Sequence, residues 1–117
     1  MVADRLEVRS KPTALGEIVE LLTKEIREQL PALYSTDGKD LTEVKAVVKF
    51  FCPWSNWTWY AAEFDGKDTF FGLVDGFEKE LGYFSLSELS RLTGPMSLRI
   101  ERDLHWQEID LATLLHE

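Results

Sequence analysis

Apolar and polar residues alternate along much of the chain after residue 43, and before it they recur at helical spacing. Leu15, Ile18, Val19, Leu22, Ile26 and Leu30 form one stripe of an amphipathic helix that Thr13 would cap and Pro31 would stop. A second reading lets Thr23 cap a shorter helix over 24–30, with 17–22 extended. Upstream, Leu6-Glu7-Val8-Arg9 alternates briefly. We therefore take 1–12 as an N-terminal extension or edge strand, and 13–117 as a single domain.

Residues 44–51 alternate as a strand ending before Pro53, with Ser55-Asn56 at the tip of a turn. Trp57–Phe64 follows as a second strand. Trp57, Trp59, Ala61 and Glu63 point one way, and Thr58, Tyr60, Ala62 and Phe64 the other. Both faces are largely apolar, as expected of a central strand covered on both sides or of one with a binding face. Asp65-Gly66-Lys67-Asp68 and Asp75-Gly76 are hairpin turns, which makes 69–74 and 77–84 a third and fourth strand. Ser85 and Glu88 read as a capping box for a short helix over 86–92 that Gly94-Pro95 ends. Residues 98–105 alternate again as a fifth strand or extended segment, and Asp110 caps a last helix over 111–116. The predicted fold is α+β. A mainly antiparallel four- to five-stranded meander sheet is packed by an N-terminal helix and short C-terminal helices.

The stretch 49–65 concentrates the aromatic content, with three of the four tryptophans, three of the seven phenylalanines and the only cysteine. One cysteine excludes an intramolecular disulfide, and no signal-peptide pattern or bilayer-length apolar run occurs. A cytoplasmic, non-membrane protein is expected. Net charge is −8, and residues 31–117 carry eight basic against fifteen acidic groups. That balance argues against direct nucleic-acid binding and suits solubility or a partner with a basic face.

Glycine-rich phosphate loops, paired cysteines and zinc-finger spacing are absent from the sequence. Cys52, between Phe51 and Pro53, reads as a small buried hydrophobe rather than a nucleophile. Glu101, Asp103 and His105 would share one face if 98–105 were a strand, so two carboxylates and an imidazole would converge as a catalytic or ion-binding set. Arg99 and Arg102 equally make that face a solvated, ion-paired one. Trp54 and Trp57 flank a turn and are the aromatics expected at the surface. Together with Glu63, Asp65 and Glu80 they are the candidate binding residues.

Several segments taken in order resemble one family. They are Leu22–Pro31, Val48–Pro53, Trp57–Tyr60 with Glu63-Phe64, Phe70–Gly76, Glu80–Leu89 and Ile100–Asp103. The family is domain of unknown function 2958, found in small bacterial proteins. The resemblance runs from about Leu21 to the C-terminus and leaves 1–20 outside. It implies accessory cargo of plasmids, conjugative elements or prophages, and it carries no catalytic residues across.

The function expected from this is a small acidic accessory protein of a mobile element. It would be a non-enzymatic protein-binding or inhibitory module serving maintenance, transfer or defence evasion. It would engage a host or element-encoded protein, need no cofactor or metal, and be a monomer or homodimer. A metal-dependent hydrolase or nuclease-like enzyme on the Glu101, Asp103, His105 face, and a structural or regulatory subunit, are the alternatives.

Overall fold

A computed structural model describes residues 20–117. The candidate edge strand within 1–12 and the Thr13 cap lie outside them. Among the described residues the first helix starts at Lys24, so the long helix is corrected to the shorter alternative. Thr23 is extended, and its hydroxyl accepts the Ile26 N–H at 3.1 Å to start α1 (Lys24–Gln29). The bend at 21–22 lets Leu22 enter the core, together with the half-buried Leu21. After α1, the Pro31 carbonyl accepts the Phe64 N–H at 3.0 Å.

The expected strand over 44–51 is two strands, β1 (Lys45–Ala46) and β2 (Val48–Phe51). Next come β3 (Thr58–Phe64), β4 (Thr69–Asp75), β5 (Lys79–Ser85), α2 (Leu86–Arg91), β6 (Glu101–Arg102), β7 (Ile109–Asp110) and α3 (Leu111–His116). The main sheet has the order β5–β4–β3–β2–β6 with antiparallel neighbours throughout. Strands β2 to β5 are the predicted meander, and β6 adds on the far side of β2. Strand β1 leaves this sheet to pair with β7, while Val47 donates its N–H to the Ala61 carbonyl at 2.8 Å.

Two cores form, one on each side of the main sheet. Residues from β2, β3 and β4, including Phe50, Phe64 and Phe70, meet Leu30 after α1 and Leu89 of α2. On the other side Ala46, Ala62 and Leu73 meet Leu111 and Leu114 of α3. The strict alternation predicted for 57–64 fails at one point. The β3–β4 register shifts between Ala61 and Glu63, so Ala62 is a bulge residue. The shift sends Phe64 to the core that already holds Trp59 and Ala61, instead of the face shared with Tyr60.

The stretch 98–105 is extended only in part. Gly94 N–H bonds the Leu98 carbonyl at 2.8 Å, around Met96 and Ser97 at φ 58° and 63°. Glu101 and Arg102 then pair with β2, Asp103 donates its N–H to the Lys49 carbonyl at 2.9 Å, and the chain turns after it. The last helix is as expected, with the Asp110 carboxylate accepting the Thr113 N–H at 2.9 Å.

Gly72 and Gly82 face each other across β4 and β5, yet their surroundings differ. A Cβ at Gly72 would overlap the Tyr60 carbonyl oxygen, so this position admits only glycine. A Cβ at Gly82 would meet nothing within 4 Å, and its φ is not in the left-handed region. Gly72→Ala is expected to lower unfolding stability by about 3 kcal/mol in urea titration. Gly82→Ala is expected to raise it by about 0.5 kcal/mol, because alanine restricts the unfolded chain.

Candidate functional site

Glu101, Asp103 and His105 do not converge. Backbone pairing ends with the Asp103 N–H bond to the Lys49 carbonyl at 2.9 Å and the chain turns at 104–105, so the expected i, i+2, i+4 face is lost before His105. Asp103 is occupied locally. Its Oδ1 accepts the His105 N–H at 2.9 Å, and its Oδ2 lies 3.8 Å from the Lys49 Nζ. Lys49 also stands over the rings of Tyr60 and Trp106, with its Nζ 5.9 and 5.6 Å from their centroids. Trp106 donates its indole N–H to the Ala46 carbonyl at 2.9 Å. Burial, then the charges of Asp75, Glu117 and Asp103, push the Tyr60 hydroxyl above its ordinary pKa. The surroundings of Asp103 thus brace β1 and β2. Among the described residues no three His, Cys, Asp or Glu side chains gather as a metal-binding group.

Glu63 is turned inward and is only 1% exposed. Its carboxylate accepts the Tyr34 N–H at 2.7 Å, the Thr36 N–H at 2.9 Å and the Thr36 hydroxyl. It therefore anchors the loop that follows α1 and holds Tyr34 at φ 71°. Tyr34, placed in this way, meets Tyr83 edge-on at 6.3 Å, and Tyr83 packs on Phe71 at 5.3 Å. Alternation alone placed Glu63 beside Trp57 and Trp59. The bulge at its neighbour Ala62 was invisible in a pattern that is apolar on both faces.

Asp65 shapes the β3–β4 turn. Its Oδ1 accepts the N–H groups of Lys67, Asp68 and Thr69 at 2.8, 2.8 and 3.0 Å, and Gly66 supplies the φ of 85°. Those three donors hold its carboxyl below the ordinary range. Asp68, which the sequence marked only as a turn residue, ties the turn to α2. It accepts the Ser85 hydroxyl at 2.6 Å and the Ser87 N–H at 2.8 Å, and these bonds lower its pKa too. Ser85 caps α2 as expected, with Glu88 N–H donating to its hydroxyl at 3.2 Å.

Trp54 and Trp57 are both half-buried, and each lies on a glycine. A Cβ at Gly94 would overlap the Trp54 ring, and one at Gly76 the Trp57 ring. Trp57 meets Trp59 at 6.1 Å and takes Phe77 edge-on at 5.4 Å. The pattern places Phe77 at the start of a strand. It lies instead in the loop between β4 and β5 and is 94% exposed. Trp57, Val74, Phe77, Glu78, Glu80 and Gly82 are among the residues that line a groove of about 250 Å³ beside β5. Glu80 is thus at the groove, as are three aromatics, Trp57, Phe77 and Tyr83, while Glu63 and Asp65 are elsewhere. Phe77 and Tyr83 are the surface residues that pattern reading missed. The signal available for Phe77 was a large aromatic directly after the turn pair Asp75-Gly76.

The fold and this surface define an α+β domain with a single meander, an acidic and aromatic sheet edge, and no gathered ligand set among the described residues. The chain belongs to the DUF2958 family, proteins of unknown function, whose family model matches residues 21–114. No curated protein and no solved structure matches it.

Two outcomes follow from the carboxylates. Glu63→Ala leaves two loop N–H groups without acceptors and is expected to cost about 3 kcal/mol in urea melts, with Glu63→Gln costing about half as much. The lowered pKa values of Asp65 and Asp68 make their contribution complete above the ordinary carboxylate range and lost as pH falls through the folded-state values. Melting temperature should therefore drop on acidification below about pH 4, and the Asp65→Asn, Asp68→Asn double variant should show a shallower drop.

Proposed function

We propose that this chain is a non-enzymatic protein-binding module of a bacterial mobile element, engaging a host or element-encoded protein through the β5 end of the sheet. The observation that carries the reading is Phe77. A phenylalanine that is 94% exposed, braced edge-on by Trp57 over a groove, is a poor solvent-facing residue and a good anchor. Tyr83 and Tyr34, 56% and 59% exposed, continue an aromatic surface around the same strand. Glu78 and Glu80 give that surface the sign of the whole chain, whose net charge is −8. A partner with a basic face would be attracted and then held by aromatic contacts. The mobile-element setting is the one that the resemblance to this family implies. No helix of the described residues is long and apolar enough to cross a membrane, which suits a partner in solution.

The enzymatic alternative has less support, because Asp103 accepts the His105 backbone N–H within its own turn and, among the described residues, Glu101, Asp103 and His105 do not gather as a ligand set.

Phe77→Ala should leave the melting temperature unchanged, since an exposed side chain shifts stability by about 0.5 kcal/mol or less. Capture of proteins from a bacterial host lysate, by the intact chain and by this variant, should then retain a partner only with the intact chain. Equal retention by both would remove Phe77 from the interface, and affinity indifferent to salt would remove the electrostatic part.

A further inference from the structure

Strand β5 is bonded on one side only, to β4, among the described residues. The direction of its backbone groups follows from both ends of the pair. Leu86 N–H donates to the Asp68 carbonyl at 2.8 Å, and Gly76 N–H to the Glu78 carbonyl at 3.1 Å. Antiparallel pairs alternate between bonded and non-bonded, so both ends give one phase: Phe70 with Phe84, Gly72 with Gly82 and Val74 with Glu80 are the bonded pairs. The N–H and C=O groups of Leu81 and Tyr83 therefore point away from the sheet.

The side chains of this edge match that opening. Leu81 and Tyr83 are exposed on one face. On the other, Gly82 leaves open space over the groove beside Trp57 and Phe77, and no contact within the described residues requires it to be glycine. A glycine inside a strand costs stability, and where the chain itself gives no reason for it, close approach by another backbone is one. Edges are commonly guarded by lysine. Here Lys79 turns away, its Nζ donating to the Leu114 and Glu117 carbonyls at 2.9 and 3.1 Å. Among the described residues the groove is lined by two carboxylates, Glu78 and Glu80, and by no cation.

We propose that β5 is a docking edge for an extended, lysine- or arginine-bearing segment of the partner protein, which adds as a sixth strand and lays an apolar side chain over Gly82. This rests on the protein-binding reading above and names how that binding is made. Charge complementarity selects this occupant over a second copy. A second copy would bring together two bodies of net charge −8, each with Glu78 and Glu80 beside that edge.

The test uses the full chain and a short peptide alternating lysine and valine, with its glutamate–valine counterpart as control. Amide hydrogen exchange should show the Leu81 and Tyr83 N–H groups unprotected in the free chain and protected when the lysine peptide binds. Loss of the outward Leu81 donor in Leu81→Pro should weaken that binding about tenfold, while Leu81→Ala, which keeps the N–H, weakens it less. The Glu78→Lys, Glu80→Lys double variant, changed only at exposed positions, should reverse the preference to the glutamate peptide. No binding of the lysine peptide at millimolar concentration, or binding that leaves both amides unprotected, overturns the proposal. So does a dimer in light scattering whose free chain already protects them. A partner retained by Leu81→Pro but lost by Phe77→Ala would overturn strand addition and leave the protein-binding reading standing.

Discussion

Strand β3 has no solvent face along most of its length, and the rest of the domain is arranged around that constraint. Its residues from Ala61 to Phe64 are all buried, and neighbours on both edges satisfy its backbone. A strand so placed needs cover on two sides, which the chain supplies with α1 and α2 on one and α3 on the other. A carboxylate within that stretch cannot be left without donors. The loop after α1 is bent to provide them to Glu63, and this sets the position of Tyr34.

The meander was legible because its signals were local. Asp65-Gly66 and Asp75-Gly76 announced the hairpins, Ser85 and Asp110 the helix starts, and alternation the strands between. What could not be read depended on partners distant in sequence. Val47 divides an apparently continuous strand because Ala46 pairs with Ile109, and a two-residue strand at 109–110 has no pattern of its own. The bulge at Ala62 follows from fitting β3 to β4, and two adjacent alanines give no hint of which one is the extra residue. The long helix ending at Leu30 and the shorter one capped by Thr23 place the same leucines at equivalent spacings. Only the bend that buries Leu22 separates them.

The candidate site was legible in composition more than in position. The stretch 49–65 is the densest in aromatics, and Trp57 borders the groove. The exposed partner of Trp57 comes from the next hairpin loop, and Glu80 from the strand after it. Glu63 and Asp65 were carried with them by proximity in sequence, yet each satisfies backbone N–H groups of its own chain. Acidic residues that cap turns and loops look, in sequence, like acidic residues free to bind.

The bond from Lys79 to the end of α3 has a mechanical meaning. Helix α3 is already joined at its start to the opposite flank, where Leu111 N–H bonds the Val44 carbonyl at 2.8 Å. Its far end holds the root of β5 through Lys79. The helix is therefore a cross-tie over one side of the sheet, fastened near β1 at one end and at β5 at the other. Six helical residues thus link the open edge to the small sheet formed by β1 and β7.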